Sequence, residues 1–426
     1  MKKFKRNLFM ATVLSCVMNS AYSAIDLSDI PLFNINNLEF EGGFRLPTAS
    51  YGDSNITYSE GPLTVGANGD SIFIVGHANQ QAIGEFSIPE LVKSMDVANF
   101  NYAEKIQNFS RVLGRPFGGN SEGHDRIGGL EYINGELVVN TWVYYDGGSS
   151  ARDTTLVVKD AANLSTSSVA GYHRMSARAH AAGWISPVPS VWQDALGGSY
   201  IAGASSGEPI INRLSVGPSA FTFNADVFNT DSLAAQDIAL TTLLDFSLQN
   251  PVGYESGDLS RYLENGSRDN LLWTHLSRAN YGFVVPGTRT YMTLGYSGGM
   301  ASGVGYKIDQ GSGQDCPGYC AYQSSDYSNY YWLWDLSDLI EVKAGRMNAH
   351  DVEPYAYGRL ADDSYAHNGY NRIIGGAYDY ANNRLYLSLE RGDASDYGWA
   401  PSIVAFSIKT PAPPLAPANV EVREGT

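Results

Sequence analysis

The chain is poor in cysteine, in charge, in helical periodicity and in long apolar runs. Three of its 426 residues are cysteine, and 17 % are charged. So few cysteines exclude a disulfide-stapled scaffold. The basic side is the thinner one: 28 Lys and Arg stand against 44 Asp and Glu, a net charge of −16. A nucleic-acid partner needs a basic field, so that class is excluded, whereas an anionic substrate held in a local basic cleft is not. An acidic surface is otherwise plain solubility chemistry. No apolar run beyond the N-terminal leader is long enough to span a bilayer. The P-loop, the dinucleotide fingerprint, His-Glu-x-x-His and Gly-x-Ser-x-Gly are all missing.

Residues 1–23 read as a secretory signal: Lys2, Lys3, Lys5 and Arg6, then a short apolar stretch, then Ala21-Tyr22-Ser23 as a small-x-small cleavage site. The expected mature chain starts near Ala24, secreted and monomeric. Removing four of the 28 basic residues leaves 24 against 44 acidic, a net −20. Val13-Leu14-Ser15-Cys16 is an imperfect lipoprotein signal, and lipidation at Cys16 is the one route by which a membrane enters this reading. Cys316 and Cys320 flank Pro317-Gly318-Tyr319; in an exported chain the first reading is a disulfide, the second a zinc pair completed by a histidine.

What the chain has is glycine (45) and tyrosine (28), with short strand-like runs between turn signals. The only helical candidates are Pro89 to Met95 and Ser337 to Ala344. Many short strands and tight turns predict an all-β sandwich, barrel or propeller. An internal recurrence selects the propeller. Ile127-Gly128-Gly129-Leu130 precedes a hairpin at Asn134-Gly135; Ile374-Gly375-Gly376-Ala377 precedes one at Asn382-Asn383; Gly61 to Val65 precedes one at Asn68-Gly69. Two further units run through Ser199–Ala204 with Ser219–Asn224, and Thr290–Gly295 with Tyr330–Leu336. Five units are thus visible, and the interval from Ala225 to Arg289 has room for more. Residues 24–409 form the expected propeller. Residues 410–426 read as a Pro-rich linker and the start of a further module.

The richest stretch is 118–146. Glu122, His124, Asp125 and Arg126 precede a predicted hairpin, Leu130 to Ile133 and Leu137 to Tyr145, that ends in Trp142-Val143-Tyr144-Tyr145-Asp146. Strand ends are where sheet proteins place sites, yet one histidine is as readily an ordinary loop residue. Further His, Tyr and Arg gather at strand ends: His173, Arg174, Arg178 and His180; Tyr200; Arg213; Tyr254, His275, Arg278 and Tyr281. Most of 28 tyrosines must be strand and core residues. The rest suit sugar stacking or proton transfer, and arginine suits bidentate carboxylate binding. One reaction uses the whole set. Cleaving a uronic-acid polymer by β-elimination needs a cation to neutralise the carboxylate, a base for the C5 proton and an acid for the leaving oxygen at C4.

The stretches Gly-His-Asp-Arg-Ile-Gly-Gly-Leu at 123–130, Pro-Ile-Ile-Asn-Arg at 209–213 and Asn-Tyr-Tyr-Trp-Leu-Trp-Asp at 329–335 resemble the propeller-fold ulvan lyases of marine bacteria. The resemblance implies a seven-bladed propeller that cleaves ulvan, an anionic algal polysaccharide of sulfated rhamnose and uronic acid. Catalysis then needs no cofactor, while a structural zinc (at Cys316 and Cys320) or calcium stays open. By this match His124, Tyr200 and Arg213 are catalytic, with the spacing from Tyr200 to Arg213 shorter than in the family. The family's second histidine is replaced by Tyr144 or Tyr145. Arg126, Tyr144, Tyr145, Tyr254, His275 and Arg278 are then substrate-binding. The rival readings are a propeller glycoside hydrolase with paired carboxylates, such as Glu122, Asp125, Glu131 and Asp146, and a non-catalytic carbohydrate-binding propeller.

Overall fold

The computed structural model describes residues 27–206, 214–253, 263, 265–303, 308–309, 314–315, 326–367, 371–395 and 398–409. The signal, the Pro-rich tail, Tyr254, Arg213 and the Cys316/Cys320 pair lie outside them.

The described residues form an all-β propeller of five blades, not the seven that the resemblance implied. Blade 1 is Leu63–Val65, Ser71–Val75, Ala82–Ser87 and Lys105–Arg111. Blade 2 is Arg126–Ile133, Glu136–Trp142, Thr155–Val158 and Val169–Met175. Blade 3 is Ile185–Pro187, Tyr200–Ala202, Ala220–Phe223 and Thr241–Leu244. Blade 4 is Arg278–Val284, Thr290–Ser297, Ser328–Asp335 and Ala356–Arg359. Blade 5 takes Ile373–Asp379, Arg384–Ser395 and Gly398–Ile408 from the C-terminal side, and its outer strand, Leu38–Arg45, from the N-terminal side. This seam ties the two ends of the described chain into one sheet. The five recurrent units of the sequence correspond to the five blades. The interval from Ala225 to Arg289 holds the outer strand of blade 3 and the start of blade 4, and no further blade among the described residues.

The expected hairpin forms. Asn134 and Gly135 take φ of 51° and 91°, the left-handed pair that a two-residue hairpin requires. Its return strand stops at Trp142, so Val143 to Tyr145 lie in the following loop. Of the two helical candidates, Leu336–Lys343 is a helix, capped by the Asp335 carboxylate accepting from the Ser337 N–H. Pro89 to Met95 is not helical, and the short helix Ser190–Leu196 escaped notice.

Apolar layers between blades hold the ring together. Phe73 of blade 1 stacks on Tyr132 of blade 2, 6.3 Å between centroids. Trp332 and Trp334 of blade 4 are fully buried. Each large side chain so buried is worth about 1.5–3 kcal/mol. At the inner edge the strands approach backbone to backbone. A Cβ at Gly129 would lie 2.1 Å from the Gly183 carbonyl oxygen, and one at Gly375 2.1 Å from that of Gly61. The Gly-Gly pairs of the sequence mark these close approaches.

Candidate functional site

The inner strands all begin at one face, which we call the front. Their starting ends are neighbours: Gly128 lies against the Ala182 carbonyl, Gly375 against that of Gly61, and the Asn280 amide donates to the Ile373 carbonyl at 2.8 Å. Three inner strands carry a register shift in the same place, between Ile127 and Gly129, Ala279 and Tyr281, and Ile373 and Gly375. One residue ahead of each shift stands an arginine: Arg126, Arg278 and Arg372. Bulges re-aim neighbouring side chains and recur beside sites. Gly128 and Gly129 pack on the carbonyls of Ala182 and Gly183, in the segment leading into blade 3. The packing of Gly375 on Gly61 sets Tyr58 of blade 1 level with Arg372. Blades 1, 2, 4 and 5 each therefore bring a polar or aromatic side chain to the front mouth of the ring.

A cavity of about 330 Å³ opens there, lined by Tyr58, Glu60, Arg278, Asn280, Tyr296, Arg372, Glu390 and Trp399. Its walls are aromatic. Tyr58 meets Trp399 edge to face at 5.2 Å, and Tyr296 meets Tyr327 at 5.8 Å. Tyr58 has φ +55°, a strained backbone for a non-glycine residue. The three arginines differ in their partners. Arg372 donates through Nε to Glu390 at 2.6 Å, with its guanidinium 4.8 Å from the Tyr296 ring centre and 5.2 Å from that of Tyr327. Arg126 is 3.5 Å from Glu60 and lies over the Tyr144 ring at 4.8 Å. Arg278 lies over the Trp142 ring at 5.6 Å, and no carboxylate pairs with it among the described residues.

Arg126, Tyr144 and Arg278 are thus gathered at the front face. Tyr145 is 65 % exposed in the loop beyond. His275 is half-buried in the segment before the inner strand of blade 4, its N–H donating to the Leu263 carbonyl. Arg213 and Tyr254 are not placed. Two of the three residues matched as catalytic stand elsewhere. Tyr200 pairs with Pro187, the last residue of its inner strand, so it sits toward the opposite face. Burial, with the Glu131 carboxylate adding to it, pushes its phenol up to about 12, which makes it a poor base near neutral pH.

His124 does not stand at a mouth. Its side chain is 1 % exposed; the ring stacks on Tyr172 at 4.9 Å, Nδ1 meets the Thr141 hydroxyl at 3.1 Å, and Nε2 donates to Glu122 at 3.3 Å. Asp125 accepts from the Tyr144 N–H and pairs with Arg126. Burial pulls the His124 imidazole below its ordinary value, against the opposing pull of Glu122. As it stands, this ring is a packed core group out of a polymer's reach.

Sequence reasoning missed Arg372, Tyr58, Tyr296, Glu390 and Trp399. A signal for Arg372 existed. Arg126-Ile127-x-Gly129 matches Arg372-Ile373-x-Gly375, whereas the recurrence had been aligned one residue off, Ile127 on Ile374.

No protein-family model matches the chain, and a search of curated proteins finds no match either.

Proposed function

We propose that the front cavity binds an acidic sugar of a polysaccharide and cleaves the polymer by β-elimination, ulvan being the polymer that the sequence motifs point to. The observation that carries this reading is Arg278, a half-buried guanidinium with no carboxylate partner among the described residues, in a cavity walled by tyrosine and tryptophan. Aromatic walls suit the apolar faces of sugar rings. A planar fork with free donors suits a uronate carboxylate, and neutralising that carboxylate is what makes the C5 proton removable. In this reading the Tyr296 phenol, in the same cavity, protonates the leaving oxygen at C4. A hydrolase would use Glu60 and Glu390, but both are engaged: Glu60 accepts from Gln81 at 3.0 Å and faces Arg126, and Glu390 accepts from Arg372.

The test is incubation with ulvan while following near-ultraviolet absorbance, new reducing ends and binding. Elimination gives reducing ends together with an absorbing unsaturated uronate. Reducing ends without the chromophore mean hydrolysis, and binding alone means a carbohydrate-binding module. Under the proposal, Arg278→Ala lowers turnover about a hundredfold to a thousandfold, as for loss of one donor to a developing oxyanion. Arg278→Lys keeps the charge but not the fork, and recovers only part of that loss. An Arg278→Ala protein with normal turnover removes this residue from the reaction.

A further inference from the structure

Arg372 divides the front cavity from a second, smaller one. Its guanidinium stands between the Tyr296 ring, at 4.8 Å, and the Tyr327 ring, at 5.2 Å, and it lines both spaces. The smaller space holds about 40 Å³ and is also lined by Tyr327, Ser328 and Asp362. We propose that this pocket is a second sugar subsite, which takes the hydroxyl edge of the ring next to the acidic sugar and rejects an anionic substituent there; this rests on the polysaccharide reading above.

Size and chemistry both point to hydroxyls. A water-sized group needs roughly 10–15 Å³ of such a space, so the pocket has room for about three, too few for a ring and enough for the hydroxyls on its edge. Its open groups both give and take hydrogen bonds. Arg372 uses Nε on Glu390 at 2.6 Å, and its two terminal amino groups have no hydrogen-bond partner among the described residues. Asp362, exposed on the one-turn helix Asp362–Ser364, offers carboxylate oxygens that no described group engages. Ser328 has a buried hydroxyl, likewise without a partner among the described residues. A sugar hydroxyl can accept from Arg372 while donating to Asp362, whereas an ionised sulfate or carboxylate only accepts. The charges agree. Glu390 already offsets Arg372, so the Asp362 carboxylate leaves the site with a net negative charge that an anion would have to approach.

The pocket stands next to the carboxylate-binding arginine. Arg278 pairs with Tyr296 across the first two strands of blade 4, and Tyr296 is the ring against which Arg372 lies. The order across the mouth is therefore Arg278, Tyr296, Arg372 and then the pocket. A sugar held at Arg278 has its neighbour at the wall that Tyr296 and Arg372 form. That wall is fixed from behind. The Asn329 side-chain amide donates to the Tyr365 phenol and to the Asn371 carbonyl, and its oxygen accepts from the Ile373 N–H at 2.7 Å. A pocket held in shape before the ligand arrives loses little on ordering and so discriminates well.

The experiment uses ulvan and chemically desulfated ulvan with wild type, Asp362→Ala, Asp362→Asn and Ser328→Ala. It reads binding by affinity electrophoresis, kcat and KM by absorbance, and the thermal midpoint. Asp362→Ala is expected to weaken binding about tenfold or more, as for loss of a hydrogen bond to a charged group, and Ser328→Ala about twofold to tenfold. Both should raise KM with kcat near that of wild type. Asp362→Asn keeps one acceptor oxygen and should recover part of the loss. The same losses are expected on the desulfated polymer. A pocket for an anion gives the opposite sign: Asp362→Asn and Asp362→Ala bind more tightly than wild type, and desulfation abolishes the difference. That result overturns the proposal. Folded Asp362→Ala and Ser328→Ala proteins that bind like a wild type that does bind ulvan overturn it as well, and leave the polysaccharide reading standing. A wild type that does not bind ulvan overturns that reading, and this subsite with it. Because binding is read by itself, the subsite is decided whether or not the polymer is cleaved.

Discussion

His124 shows how one side chain can carry a motif's conspicuous residue and still serve the fold. It is enclosed by Tyr172, Thr141 and Glu122. His124→Ala removes that packing and two hydrogen bonds, and should cost about 2–4 kcal/mol of stability, read as a lower denaturation midpoint. Unchanged stability would show the ring to be dispensable there. Its depressed protonation also sets a pH limb. Burial lowers the folded value below the ordinary 6.5, and the nearby His173 is pulled down to about 4 by burial and then by Lys159. The unfolded chain therefore binds these protons first, and stability is lost as pH falls below about 6.5, levelling off near 4 for His173. Melts of His173→Gln should show a shallower decline across that window. The sequence showed the charged neighbours of His124 but not Thr141 and Tyr172, which come from other strands of the blade. Burial by non-local partners leaves no local pattern.

At the scale of the element, the inner strand was legible and its register was not. The Gly-Gly signature was read correctly as a repeated unit, because backbone-to-backbone packing admits no side chain and so leaves a visible trace in composition. The bulge behind it leaves none, and that is why the one-residue slip concealed Arg372. The close approach makes a sharp prediction. Gly375→Ala drives a Cβ to 2.1 Å from the Gly61 carbonyl oxygen, where backbone of blade 1 must give way. Overpacking of this kind costs about 1–3 kcal/mol or more. Gly118→Ala, with nothing within 4 Å of the added carbon, serves as the control and should melt near wild type. Equal midpoints for the two variants would mean that the inner strands are not in contact.

At the scale of the whole molecule, the ring encloses one ionisable group that a sheet surface would have left in water. Glu131, on the inner strand of blade 2, reaches the Thr64 hydroxyl of blade 1 at 3.3 Å. Protein surrounds it from several blades, although solvent still touches it in part. That burial pushes its carboxyl up to about 8, with Thr64 pulling slightly the other way. Nothing in the sequence Leu130-Glu131-Tyr132 announces this, because the enclosure exists only once five blades have closed. The unfolded chain releases this proton near 4.5, and the folded chain holds it until about 8. Stability from this group is therefore full below pH 4.5, falls as pH rises toward 8, and is level above. Glu131→Gln keeps the shape and has no proton to lose. Its midpoint should match wild type near pH 4.5, exceed it by a margin that widens up to pH 8, and keep that margin at pH 9. A gap of constant size from pH 4.5 to 9 would mean that the carboxyl is not held protonated inside the ring.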